Sequence, residues 1–260
     1  MDLGLKGKTA LVTGASQGIG EGVAKAFAEE GVNLHLTARN AEYLERIRKE
    51  IAEISDVKVA IHPLDITQAG TCEKLVEQVG DVDILVNNAG VIPSGNLFEI
   101  DEKRWREGWE LKVFGYINLC RLIYPRMKAQ GGGVIINNIG NGGEVFDPQY
   151  IAGTTGNASL MAFTRALGGH SLDDNIRVVG VNPGPVNTDR IYNMLKKRAQ
   201  STFGDAGRYQ ELEARYPLGR PAHLHEVTDL ITFLASFRSG YTTGTIFTVD
   251  GGIASRRSII

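Results

Sequence analysis

Cysteine is nearly missing from this chain: Cys72 and Cys120 are the only two in 260 residues, which excludes a disulfide framework and leaves no metal-ligand spacing. Long apolar runs are missing as well. None approaches the roughly 20 residues that cross a bilayer, and Met1 to Lys8 carries no apolar core of an export signal. Charge of one sign is not in excess either. A formal net charge of −2 gives no global basic field for nucleic acid or acidic membranes. The five histidines, His35, His62, His170, His223 and His225, show no pairing that suggests a metal site or a nucleophilic triad. These absences point to a cytoplasmic protein with a small-molecule partner, no nucleic acid, no membrane and no metal.

What the chain has in quantity is glycine, 32 residues clustered in short loops, on a background 42% hydrophobic and 22% charged. That background suits one globular domain with a substantial core. Short apolar runs alternate with longer amphipathic segments, as in a parallel sheet covered by helices on both faces. Strands are predicted at Thr9–Thr13, Asn33–Thr37, Val57–His62, Ile84–Val86, Val134–Asn137, Arg177–Val181 and Thr245–Val249. Helices are predicted at 18–30, 41–54, 67–79, 101–129, 154–169, 188–203 and 224–236, with Thr67 and Asp101 as caps. The expected fold is α/β, a single doubly wound (Rossmann) domain over 1–260 with about seven parallel strands. The polar stretch 189–217 reads as a helical flap over a ligand, with Tyr192, Met194, Leu195, Phe203 and Tyr209 suggesting a mixed apolar pocket.

Residues 13–20, Thr13-Gly14-Ala15-Ser16-Gln17-Gly18-Ile19-Gly20, lie between the first strand and the first helix. Gly14 allows a tight turn, Gly18 lets the backbone approach a phosphate, and Gly20 lets helix pack on strand. The helix N-terminus supplies free N–H groups and a positive dipole end to a pyrophosphate. The bland alternative is a glycine-rich turn with no ligand. The second strand ends Leu36-Thr37-Ala38-Arg39-Asn40, without the acid that usually holds the ribose 2′-hydroxyl of NAD. Arg39 can offer a fork to a 2′-phosphate, which favours NADP over NAD. A solvated loop arginine is the competing reading.

With these residues the chain resembles the short-chain dehydrogenase/reductases over nearly its whole length. The matching blocks are residues 13–20, Leu64-Asp65-Ile66-Thr67, Asn87-Asn88-Ala89-Gly90, Asn182-Pro183-Gly184-Pro185-Val186-Asn187-Thr188, Pro217-Leu218-Gly219-Arg220-Pro221 and Val249-Asp250-Gly251-Gly252. The resemblance implies Asp65 and Ile66 against adenine and Asn88, Ala89 and Gly90 along the cofactor ribose. It implies the Pro183–Thr188 loop at the nicotinamide carboxamide, with Gly184 in the loop and Val186 and Thr188 nearest. It also implies a homo-oligomer, tetramer or dimer, and the apolar chain end Ile259–Ile260 is compatible with burial against another subunit.

The resemblance breaks at the chemistry. The family's usual serine falls on Gly140, the tyrosine thirteen residues later on Gly153, the lysine on Asn157, and the asparagine of the preceding long helix on Lys112. Asn157 is nevertheless grouped with the cofactor-binding residues. Two side chains can stand in. Tyr150 lies three residues before Gly153, and glycines at 140 and 153 would give it room to swing in. Lys112 could restore the cation missing at 157, depress the Tyr150 pKa, act as the acid itself, or bind a substrate carboxylate. Glu144, in the run Asn137–Glu144, is the acid expected to meet Lys112. The bland readings are an exposed helix lysine and a packing tyrosine. The functional expectation is an NADP(H)-dependent oxidoreductase acting on a ketone, aldehyde or secondary alcohol, with Lys112 and Tyr150 as its catalytic residues. A non-catalytic NADP(H)-binding sensor or scaffold is the alternative, and a lyase or isomerase the third.

Overall fold

The computed structural model describes residues 1–256, so Ile259 and Ile260 lie outside the described residues. Seven strands form one parallel sheet in the order β3-β2-β1-β4-β5-β6-β7. They are β1 (Thr9–Thr13), β2 (Asn33–Ala38), β3 (Val59–Pro63), β4 (Ile84–Asn87), β5 (Gly133–Asn138), β6 (Ile176–Pro183) and β7 (Thr245–Val249). Strand side chains alternate between faces, and both faces are covered. Ala10, Val12, Leu34, Leu36, Ile84, Val86, Val179 and Val181 pack under α1 (Gly18–Glu29), α2 (Ala41–Ala52) and α9 (His225–Ala235). Leu11, Leu85, Ile135 and Val178 pack on the other face against α3 (Thr71–Val79) and α5 (Gly115–Ala129). The strand order reverses between β1 and β4, and a crevice opens there at the carboxyl ends of the strands.

Two sequence expectations are corrected. Thr67 does not cap α3: the helix begins at Thr71, and the Thr67 N–H and hydroxyl both donate to Asp65 Oδ1 in a turn before it. Asp101 does cap its helix, accepting from the Arg104 N–H at 2.8 Å. The long helix predicted over 101–129 is interrupted. α4 (Glu102–Trp109) passes into a π-helical turn, Glu110–Phe114, before α5. Such a turn inserts one residue into the helical repeat and re-aims the side chains around it.

The stretch 189–217 is helical as expected, with α7 (Asp189–Phe203) and α8 (Tyr209–Glu213). Its apolar side chains turn inward on one another: Ile191, Leu195, Ala199 and Leu212 form a small core joined by Tyr192, Phe203 and Tyr209. Only Met194 of the expected pocket residues is exposed, at 40%. The last helix on this face of the site is α6 (Ile151–Gly168).

The crevice floor is held by buried amides. Asn87 Nδ2 donates to Asn137 Oδ1, and Asn137 Nδ2 donates to Thr164 Oγ1, each at 2.9 Å, which joins β4, β5 and α6. Asn137→Ala leaves Thr164 Oγ1 without its amide donor and the Asn87 amide with only the weak Cys120 Sγ acceptor at 3.4 Å. It is expected to cost about 1–3 kcal/mol, read as a thermal midpoint lower by several degrees.

Candidate active site

The glycine loop has the shape a dinucleotide needs. Gly14 and Gly18 sit at φ of 62° and 60°, the left-handed region that glycine enters freely. A β-carbon on Gly20 would overlap Gly14 O and Asn88 Nδ2, so only glycine lets α1 start this close to β1. Gln17 is the extended residue before α1 and makes no side-chain cap, so the first N–H groups of the helix face the crevice, with Ser16 half-buried and Ile19 packed below. Across the crevice, Thr188 Cγ2 lies 3.5 Å from where a Gly18 β-carbon would stand. These observations fit a pyrophosphate between the loop and the entrance of α7.

Asn88 is already engaged with the protein. Its Nδ2 donates to Thr13 O and Gly14 O at 3.0 and 3.1 Å, and its Oδ1 accepts from Asn138 Nδ2 at 2.7 Å. With Ala89 N–H donating to Thr13 Oγ1 at 2.9 Å, it fastens the loop to β4 and β5. The Pro183–Thr188 segment is fixed through Gly184 N–H to Val249 O at 2.9 Å, and Val186 is buried in a bridge to Ala222. Ile66 is buried near Gly115, and Asp65 is held in its turn. At the end of β2, Arg39 is exposed. The next cation along, Arg46, is taken by Glu21 and Glu50 at 2.9 and 2.7 Å.

Lys112 does not point into solvent. It is 8% exposed, lies in the π-helical turn, and its Nζ donates to Ile139 O. Its stem runs along Gly90, where a β-carbon would stand 2.7 Å from Lys112 Cδ. Burial, and secondarily the positive charge of Arg190, depress its pKa from 10.5 to about 7. Glu144 is not its partner, because Glu144 Oε2 accepts from Thr248 Oγ1 at 2.8 Å, on β7. Below the lysine, the Tyr116 hydroxyl donates to Asn138 O at 2.8 Å, and burial keeps that phenol neutral by raising its pKa.

Tyr150 stands just before α6, half-buried. Its ring lies over Gly153, where a β-carbon would overlap it, and against Gly142, whose β-carbon would stand 3.2 Å from Cε1. Gly142 and Gly153 thus make its room, not Gly140 as expected. Gly140 is at φ of 115°, a conformation that excludes an ordinary serine there. Asn157 is 3% exposed, and its amide nitrogen lies 3.4 and 3.1 Å from the β-carbon positions of Gly140 and Gly142. Its Oδ1, with Asn138 Oδ1 and Thr154 Oγ1, is buried without a hydrogen-bond partner. Each is a buried polar atom that the protein itself leaves without a partner.

Sequence reasoning missed Arg190. It sits in the first turn of α7, exposed, with Nη1 donating to Gly90 O at 3.4 Å, so Gly90 has Arg190 on one side and the Lys112 stem on the other. The π-helical turn was missed too, since the apolar pattern there reads as one continuous helix. Among the described residues no helix is long and apolar enough to cross a membrane, and no group of three or more metal-ligating side chains gathers.

A family model described as enoyl-(acyl carrier protein) reductase matches residues 14–254. The chain is 34% identical to the oxidoreductase UcpA of Salmonella typhimurium over 261 residues, covering 98% of this chain and 97% of the relative. The crystal structure of L-sorbose reductase from Gluconobacter frateurii, complexed with NADPH and L-sorbose, is 33% identical, with a TM-score of 0.92 over 99% of this chain and 100% of that one. A structure of a short-chain dehydrogenase/reductase family protein is 30% identical, with a TM-score of 0.83 over 98% and 100% of the two chains.

The depressed lysine pKa has a sign that can be measured. Between about 7 and 10.5 the unfolded chain holds a proton at Lys112 that the folded chain has lost, so its contribution makes stability rise with pH in that window. Lys112→Met is expected to remove that rise from the difference between variant and parent melting curves, and to raise the midpoint at pH 6.5.

Proposed function

The chain belongs to the short-chain dehydrogenase/reductase family of oxidoreductases, and we propose that it is an NADPH-dependent reductase of a ketone or aldehyde, or the corresponding alcohol dehydrogenase, whose proton chemistry uses Tyr150 and Lys112. One observation carries this reading. Lys112, from the π-helical turn, bonds to Ile139 O, and Asn157, from α6, lies beside Gly140, so the lysine and asparagine the family resemblance assigns to these two elements are interchanged. Both residue types remain, and the cation approaches from the π-helical turn instead of from α6.

Bound NADPH supplies the hydride. As the electron pair of the carbonyl π bond moves onto oxygen, Tyr150 Oη gives that oxygen a proton. Lys112 Nζ, an ammonium below pH about 7, restores the proton, and the Asn157 carboxamide orders the ground between them. The burial of Lys112 and Asn157 strengthens the electrostatic interactions they make. The glycine loop, the α1 N-terminus and the α7 entrance would hold the pyrophosphate, Pro183, Gly184, Val186 and Thr188 the nicotinamide end, and Arg39 the 2′-phosphate of NADP. The NADPH in the L-sorbose reductase structure supports this choice of cofactor. Absence of the usual serine and tyrosine favours a second reading, in which NADP(H) is bound and sensed but not turned over.

The test follows NADPH fluorescence on mixing with a panel of ketones and aldehydes. Blue-shifted emission that decays only with substrate is expected, and binding with a flat trace across the panel would select the sensor. Reduction should slow as pH rises through about 7, because the ammonium form of Lys112 is the one required. Lys112→Asn is expected to lose roughly 10²–10⁴-fold in kcat together with that pH limb, and Lys112→Asn/Asn157→Lys to recover part of both. Recovery by the double exchange separates a relocated cation from a structural lysine.

Arg39→Ala is expected to raise KM for NADPH by about 10–100-fold, the worth of charge-assisted hydrogen bonds to a phosphate, and to leave KM for NADH little changed.

A further inference from the structure

Two aromatic rings are seated one turn apart along α6, each on a glycine. Tyr150 lies over Gly153, and Trp109 reaches Gly156, where a β-carbon would stand 3.2 Å from the indole nitrogen. The indole N–H donates to Ala152 O at 3.0 Å, which ties Trp109 to the turn of α6 that Tyr150 opens. Trp105, Trp109 and Tyr150 pack on one small core of Ile92, Ile100 and Ala152, separate from the two large cores on the sheet. The loop after β4 closes this core: Gly95 N–H donates to Gln149 O at 2.7 Å, and Gly95 bridges to Tyr150.

Trp109 is also the last residue of α4, directly before the π-helical turn that carries Lys112. Val113 of that turn rests on the same glycine, 3.3 Å from the β-carbon position of Gly156. Resting on the reductase reading, we propose that Trp109 is a positioning residue, a strut that fixes Tyr150 on α6 relative to Lys112 in the π-helical turn. An indole suits the task, because it is large and stiff and its N–H, a donor only, finds a carbonyl when buried. The tyrosine needs such support. Its backbone stands outside the helix at φ of −138° and ψ of 37°, with its N–H on Asp147 O at 3.0 Å and its carbonyl accepting from the Thr154 N–H at 2.8 Å. Its hydroxyl has no hydrogen-bond partner among the described residues, so packing sets the place of the ring.

Trp109→Phe, made in the full protein, keeps an aromatic ring and removes the donor. The comparison is Trp105→Phe, which removes an indole from the same core that lacks the bond to Ala152. In Trp109→Phe, kcat should fall by about 10–100-fold, the cost of misplacing a reacting group by about 1 Å. KM for NADPH should hold, and Trp105→Phe should stay close to the parent. Against the residual rate of Tyr150→Phe, adding Trp109→Phe should remove nothing further, as for a residue that acts through the tyrosine. A second measurement needs no turnover. Amide hydrogen exchange over residues 147–156 should quicken about 5–10-fold in Trp109→Phe, the worth of one hydrogen bond, with the rest of the chain unchanged.

An equal loss of kcat with and without the Tyr150 hydroxyl would overturn the proposal and leave the reductase standing. So would an unchanged kcat in Trp109→Phe, or a rise in KM for NADPH that accounts for the whole loss. A parent protein that turns over no carbonyl, or a Tyr150→Phe protein as fast as the parent, would remove the reductase reading built on Tyr150. Exchange then decides the strut by itself. Quickening confined to 147–156 upholds it, and an unchanged pattern, or one quickened throughout the chain, overturns it.

Discussion

A buried ammonium whose hydrogen-bond partner is a single backbone carbonyl is the constraint to which the rest of this site is fitted. Lys112 donates to Ile139 O from a position 8% exposed, and an isolated buried charge of that kind costs several kcal/mol. The protein answers with a depressed pKa, which lets the group release its proton near neutrality and avoid most of the penalty. It also supplies geometry. The π-helical turn at Glu110–Phe114 re-aims the lysine inward, and Gly90 has no side chain to block its stem. A serine or alanine at 90 would press its β-carbon on the Lys112 stem and force that stem to shift.

Glycine plays the same part on the opposite wall. Tyr150 can lay its ring where it does because Gly153 has no β-carbon to collide with it and Gly142 only touches it. The two walls are therefore interdependent. A tyrosine returned to 153 would collide with Tyr150, and a serine returned to 140 would meet a φ of 115°. The usual residues of the family cannot be restored one at a time, which argues that the site is an alternative arrangement with its own packing and not a collection of independent losses.

How much of this could be read from the sequence depends on whether the signal was local. The seven strands were legible because period-two alternation and apolar runs are set by neighbours along the chain, and every predicted strand lies within a residue or two of an observed one. The glycine loop was legible because three glycines between a strand and a helix meet steric demands of that turn alone. Thr67 misled because a good capping residue was followed closely by a second helix start, and its hydroxyl found Asp65 instead. Lys112 was found by counting, but its burial was not, since a π-helical turn leaves little trace in hydropathy. Arg190 and Glu144 depend on contacts that span 100 and 104 positions, to Gly90 and Thr248, and no local pattern encodes those.

The fold explains why such an exchange is tolerated. The carboxyl ends of β1, β4, β5 and β6 open on one edge, so the segments that follow them all reach the same crevice from different directions. The proposed proton relay requires a cation and a proton donor at particular points in space, and a long side chain can deliver its tip from either wall. Moving the lysine is not neutral in its consequences, however. Packed along Gly90 and bonded to Ile139 O, its amine is buried, and that burial lowers its pKa to about 7. On the proposed mechanism, a lysine that ionises near neutrality makes proton supply depend on pH through burial alone, without a moving part.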